Sequence, residues 1–167
     1  MHNAKRKGTL LLSAFALVAT LAAASSARHE TTPVEASLAS SKVVIQVFKS
    51  PSCGCCKAWV THMRDAGFDA QVVDMSDAEL QTKKASLGVG AKLQSCHTAV
   101  VNGYVVEGHV PAADVKRLIA EKPAIVGLAA PGMPRGSPGM EMPGGAKDAY
   151  DVVAFEQSGA TRVFAKH

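Results

Sequence analysis

The run Val43-Val44-Ile45-Gln46-Val47-Phe48-Lys49-Ser50-Pro51-Ser52-Cys53-Gly54-Cys55-Cys56 joins a strand to the start of a helix. Val43 to Phe48 is rich in β-branched types and has the length of a buried strand. Ser50-Pro51-Ser52 breaks it. Cys53 to Ala66 then reads as a turn leading into a helix that Gly67 ends, with Trp59, Val60 and Met63 on one apolar face. Three of the chain's four cysteines stand at this handover, where free N–H groups and the helix dipole favour thiolate.

Downstream, Phe68 to Val73 is a second strand. Ser76-Asp77-Ala78-Glu79 is a capping box whose Ser and Glu satisfy each other's free N–H groups. It opens a helix to about Leu87, where Gly88 is the left-handed stop. Thr98 to Val101, Asn102-Gly103 and Tyr104 to Glu107 form a hairpin, because Asn-Gly suits the type I′ turn. Pro111 stands at a first helical position, and Ala112 to Lys122 carries Val115, Leu118 and Ile119 on one face. A βαβ unit followed by a ββα unit predicts an α/β protein with a thioredoxin-like core. Residues 127–145 are dense in Pro, Gly and Met and are expected to form a loop with no regular helix or central strand. Tyr150 to Phe155 and Ala160 to Ala165 then alternate as a closing hairpin.

Upstream, Lys5-Arg6-Lys7 precedes the apolar run Leu10 to Ala24 and a crowd of small residues ending at Ala27. This is the layout of a signal peptide, 1–27, and about 15 apolar residues fall short of the roughly 20 that span a bilayer. A flexible leader, 28–41, is expected next, and a domain over 42–167. No Cys follows the apolar run closely. The mature chain is therefore expected to be exported and soluble, most simply in a bacterial periplasm, with no membrane contact after cleavage. That compartment oxidises exposed thiols.

At 167 residues, 47% hydrophobic and 19% charged, the composition is that of one globular domain. The formal charge is +4, but removing the three leader charges from 18 leaves 15 basic against 14 acidic residues. Near-neutrality with 5% aromatics excludes a general nucleic-acid binder.

Three readings of Cys53, Cys55, Cys56 and Cys96 compete. Two structural disulfides suit an exported protein, but adjacent cysteines pair only with strain and three in four positions brace little chain. Cys53 and Cys56 have the Cys-x-x-Cys spacing of a redox dithiol, interrupted by Cys55. In a thioredoxin-like core Cys96 would face this cluster, where such proteins ordinarily place a proline. The third reading is a metal site. Thiolate favours Cu(I) and Zn(II), zinc prefers ligands from well-spaced pairs, and crowded thiolates can bridge several Cu(I) ions. His97, beside Cys96, joins the candidate ligands, with His109, Met133, Met140 and Met142 as further candidates. His62, on the first helix, reads either as a ligand or as a packing residue; Met63 and Met75 read as core.

Cys53-Gly54-Cys55-Cys56-Lys57, Ser95-Cys96-His97-Thr98, Gly103 through Pro111 and Gly132 through Glu141 together resemble the CopG type of periplasmic copper-resistance protein. The resemblance covers roughly Lys42 to Met142. It implies a thioredoxin-like fold, a thiolate-bridged cluster of several Cu(I) ions on Cys53, Cys55, Cys56 and Cys96, and a role in copper detoxification beside other periplasmic copper-handling or efflux proteins. The expected function is Cu(I) binding for copper tolerance. The alternative is a thiol–disulfide or copper oxidoreductase using Cys53 and Cys56.

Overall fold

A computed structural model describes residues 42–167. The signal peptide and leader expected over 1–41 lie outside the described residues.

The elements follow the order read from the sequence, with one addition. They are β1 (Val44–Lys49), α1 (Gly54–Asp65), β2 (Asp69–Asp74), α2 (Asp77–Ser86), β3 (His97–Val101), β4 (Tyr104–Gly108), α3 (Ala112–Glu121), β5 (Gly127–Ala130), β6 (Asp151–Phe155) and β7 (Thr161–Lys166). The seven strands form one sheet in the order β2-β1-β3-β4-β5-β6-β7. β1 pairs with β2, and β4 with β5, in parallel; the other pairs are antiparallel. The expected mixed α/β class is what the chain adopts.

Local signals act as anticipated. Ser76 Oγ accepts the Glu79 N–H at 3.4 Å and Glu79 Oε2 accepts the Ser76 N–H at 2.8 Å, closing the capping box of α2. Asn102 and Gly103 take positive φ, 47° and 83°, as the tight β3–β4 turn requires. Pro111 is the cap residue of α3, which begins one residue later at Ala112. Ile45, Val47, Trp59, Met63, Val106 and Leu118 are fully buried in the main core, which brings α1 and α3 onto the sheet. Met75, expected in the core, is only half-buried.

The structure corrects the reading of 127–145 at its start. Gly127-Leu128-Ala129-Ala130 is a central strand, wholly buried between β4 and β6. Gly127 is the reason it fits. A Cβ there would stand 2.0 Å from the Val105 carbonyl oxygen, so glycine permits the close approach of two backbones. The Pro/Gly/Met-rich loop begins only at Pro131, where the missing N–H ends strand pairing.

Candidate metal centre

The β1–α1 turn delivers the first three thiols. Cys53 is the N-cap of α1, and its sulfur accepts the Cys56 N–H at 3.3 Å. Cys53 and Cys56 are joined as a disulfide, whereas Cys55 and Cys96 are free. There is thus one disulfide among the four cysteines, and it uses the Cys-x-x-Cys spacing.

Cys96, just before β3, meets this turn from across the fold. Its Sγ lies 3.6 Å from Cys55 Sγ, which is itself 3.5 Å from Cys53 Sγ. All four sulfurs lie within 4.8 Å of one another. Two thiolates on one ion, with bonds of about 2.3 Å, sit roughly 3.7–4.6 Å apart. The Cys53–Cys55 and Cys55–Cys96 gaps therefore need to open by about 1 Å or less, and Cys53 and Cys56 must be reduced and part before all four sulfurs can hold a soft ion.

Two histidines stand behind Cys96. His109 Nε2 is 3.0 Å from Cys96 Sγ, and His109 Nδ1 is 2.8 Å from the Pro138 carbonyl oxygen. A carbonyl can only accept, so Nδ1 carries the proton and Nε2 presents a lone pair to the sulfur. His97 is fully buried, with Nδ1 3.4 Å from Cys96 Sγ and Nε2 without a hydrogen-bond partner. Its ring lies 4.5 Å from that of Trp59 and edge-on to His109. Burial holds both imidazoles below the ordinary range, His97 well below it, where the charges of His109 and Lys84 add to the effect. The Cys96 thiol is pushed up to about 12, first by burial and then by the charge of Cys55. A metal ion bound at Cys96 must therefore displace a proton.

The loop that starts at Pro131 closes over this centre. Gly139 takes φ +83°, and a Cβ on it would lie 2.7 Å from both the Cys55 oxygen and the Trp59 nitrogen. Glycine thus lets the loop rest on the first turns of α1. Of the loop methionines, Met140 is half-buried, while Met133 and Met142 are exposed, at 56% and 42%. His62 is half-buried and has a structural partner: its Nε2 accepts the Ala112 N–H that opens α3, at 3.1 Å. Beside Cys53 and Cys96 an open cavity of about 320 Å³, carrying the hydroxyls of Ser50, Ser52 and Ser95, leads to solvent.

Two residues that the sequence reading passed over hold Cys96 in place. Lys84, on α2, and Glu107, on β4, form an ion pair with both side chains wholly buried. Lys84 Nζ also donates to the Ser95 carbonyl at 2.7 Å and the His97 carbonyl at 3.4 Å. Glu107 Oε1 accepts the Ser95 N–H at 2.7 Å. Both backbone polar groups of Ser95 are thus fixed by one buried pair. The available signal is Lys84's spacing, four residues after the buried Leu80 and so on the packed face of α2.

A family model described as "Protein of unknown function, DUF411" matches residues 93–140, which include Cys96, His97 and His109. Two solved structures are similar to this chain: "Copper resistance protein copG- Form 1" and "Copper resistance protein copG- Form 2". Each is 46% identical and covers 76% of this chain; the match spans 98% and 99% of theirs, with TM-scores of 0.68 and 0.69. No curated protein sequence matches.

Proposed function

The chain belongs to the family of the CopG copper-resistance proteins, and from that premise we propose that it binds Cu(I) in the periplasm for copper tolerance, the thiolates of Cys53, Cys55, Cys56 and Cys96 bridging several ions. The observation that carries this reading is the meeting of four sulfurs, from two segments far apart in sequence, within 4.8 Å. Such a crowd of soft donors suits Cu(I), which accepts two or three ligands per ion. Copper is the cargo, and loading uses the protein with its Cys53–Cys56 disulfide reduced by exchange with an external dithiol, which gives up two electrons and two protons and is itself left as a disulfide. The exposed thioethers of Met133 and Met142 offer soft ligands by which copper reaches or leaves the loop. The strand and helix order supports a thioredoxin-like core for this domain, and other copper-handling or efflux proteins of the same compartment are the proposed partners.

A second reading has its own support. Cys53 and Cys56 are disulfide-bonded at a helix N-terminus, the arrangement of a dithiol oxidoreductase. One experiment separates the two. The signal-free chain is reduced, reconstituted anaerobically with Cu(I), and analysed for copper and for thiols. More than one tightly bound copper ion per chain, lowered by Cys96→Ser, supports the thiolate cluster. No tight copper, with two thiols cycling reversibly against a dithiol, hands the site to the oxidoreductase.

A further inference from the structure

We propose that two arginines, Arg64 and Arg117, keep the sheet from continuing into a second copy of this chain, each by occupying a backbone carbonyl on one of its outer strands. Among the described residues those strands are β2 on one side and β7 on the other. An outer strand presents unpaired N–H and C=O groups and can template another strand unless something blocks it.

At β2 the alternation of pairing shows which groups face outward. The N–H groups of Asp69 and Met75 donate to the Val43 and Lys49 carbonyls at 2.9 and 3.0 Å, across the parallel β1–β2 pair. Residues an even number of positions from Asp69 therefore bond inward, and Ala70 and Val72 turn their backbone groups outward. Arg64, in the last turn of α1, donates from Nη2 to the Ala70 carbonyl at 2.7 Å.

The same device recurs at β7. Val152 faces Ala165 and Val153 faces Val163, so Phe164 is passed over as the extra residue of a β-bulge. Arg117, on α3, donates from Nη2 to the Phe164 carbonyl at 2.6 Å and lays its guanidinium over the Phe164 ring, 3.8 Å from the centroid. A bulge and an arginine thus obstruct the same point of the edge. An incoming strand would have to replace a charge-assisted bond with a neutral one.

The partner that these guards exclude is a second copy, because the two edges complement each other. β2 begins and ends with Asp69 and Asp74, and β7 carries Arg162 and Lys166. Val72 on β2 and Val163 on β7 are both exposed. An antiparallel pairing that sets Val72 opposite Val163 also sets Asp69 opposite Lys166 and brings Asp74 beside Arg162. Asp74 shares its charge with Lys49, so the Asp69–Lys166 match is the stronger one. Such a pairing joins unlike edges and leaves the same two edges free at its ends, so it would propagate and not close.

The test is sedimentation velocity of the signal-free chain from about 10 µM to about 1 mM, with a thiol reductant present and folding checked by circular dichroism. The parent should stay a monomer. Arg64→Ala/Arg117→Ala should associate, its weight-average mass rising by about twofold or more over that range. About 0.5 M NaCl should reverse most of the rise by screening the acid–base matches. Arg117→Lys keeps a cationic donor and should remain a monomer. Adding Lys166→Glu to the double variant sets like charges opposite each other and should restore the monomer, which it would not do for the clumping of a damaged fold. If the double variant fails to fold, Arg117→Ala alone, a change at an exposed side chain, decides the matter. Self-association of the parent overturns the proposal. So does a folded variant without its guards that stays monomeric at the highest concentration, or association that Lys166→Glu does not relieve.

Discussion

The Pro138 carbonyl accepts the Nδ1 proton of His109 across 2.8 Å, and this one bond turns the other ring nitrogen toward Cys96. The orientation of His109 thus depends on where the 131–142 loop lies, and the loop lies on α1 because Gly139 has no side chain. In Gly139→Ala the new Cβ would stand 2.7 Å from two backbone atoms of α1, at a φ of +83°. Backbone cannot yield as a flexible side chain can. Left-handed strain and overpacking together should cost about 2–4 kcal/mol, read by urea unfolding. The His109 ring resonances should move with it; unchanged stability and unchanged resonances would separate His109 from the loop.

Cys96 should be a slow nucleophile in the metal-free protein. With its thiol pushed up to about 12, roughly one molecule in ten thousand is thiolate at pH 8. Alkylation of Cys96 by iodoacetamide should rise about tenfold per pH unit and level off only near pH 12. The same shift sets a stability trend. The raised value means that the native state keeps a proton that the unfolded chain releases. This contribution is complete below the ordinary thiol value of 9.0 and is lost as pH rises toward about 12. A Cys96→Ser variant should lose less stability over that alkaline range; an identical alkaline profile would contradict the assignment.

The buried Lys84–Glu107 pair should separate stability from positioning. Lys84→Met leaves the Glu107 carboxyl buried without its cation, which should cost about 3–5 kcal/mol. Burial already raises Glu107 despite Lys84, so acidification should recover part of the loss by neutralising the carboxyl. The double variant Lys84→Met/Glu107→Leu removes both charges and should return to within about 2 kcal/mol of the parent. It still frees the Ser95 backbone, so the Ser95, Cys96 and His97 amides should exchange hydrogen faster than in the parent. Unchanged exchange in the folded double variant would show that the pair does not position Cys96.

Short-range chemistry made much of this fold legible. The Ser76–Glu79 box, the Asn102-Gly103 turn and the Ser50-Pro51-Ser52 break act within a few residues of themselves, and the structure has each where the sequence puts it. β5 was hidden because Gly127 owes its place to the Val105 carbonyl, a neighbour 22 positions away in sequence. A composition rule sees only a glycine that weakens strands. Lys84 was hidden for a related reason: a lysine in a charged helix reads as solvated, and its buried partner is supplied by another strand. In the site, the thiols were visible from spacing, while the pairing of Cys53 with Cys56 and the two-sided hold on His109 are facts of the folded chain.

His62 offers the last test, because its role in the structure differs from that of His97 and His109. Its Nε2 accepts the first N–H of α3, a position where α3 has no side-chain cap of its own. Deleting that acceptor with His62→Ala should cost about 1 kcal/mol, the usual value of a helix cap. Only the neutral ring can accept the bond, and burial lowers the His62 pKa below 6.5, against the opposing charges of Glu141 and Asp65. A depressed base contributes stability that is present above the unfolded value of 6.5 and is lost as pH falls through the folded value. The parent should therefore lose part of its advantage over His62→Ala on acidification below about pH 6. Urea unfolding of the two proteins at pH 7.5 and pH 5 measures that difference, and an advantage that grows toward pH 5 would mean that His62 works as a charged group and not as a cap.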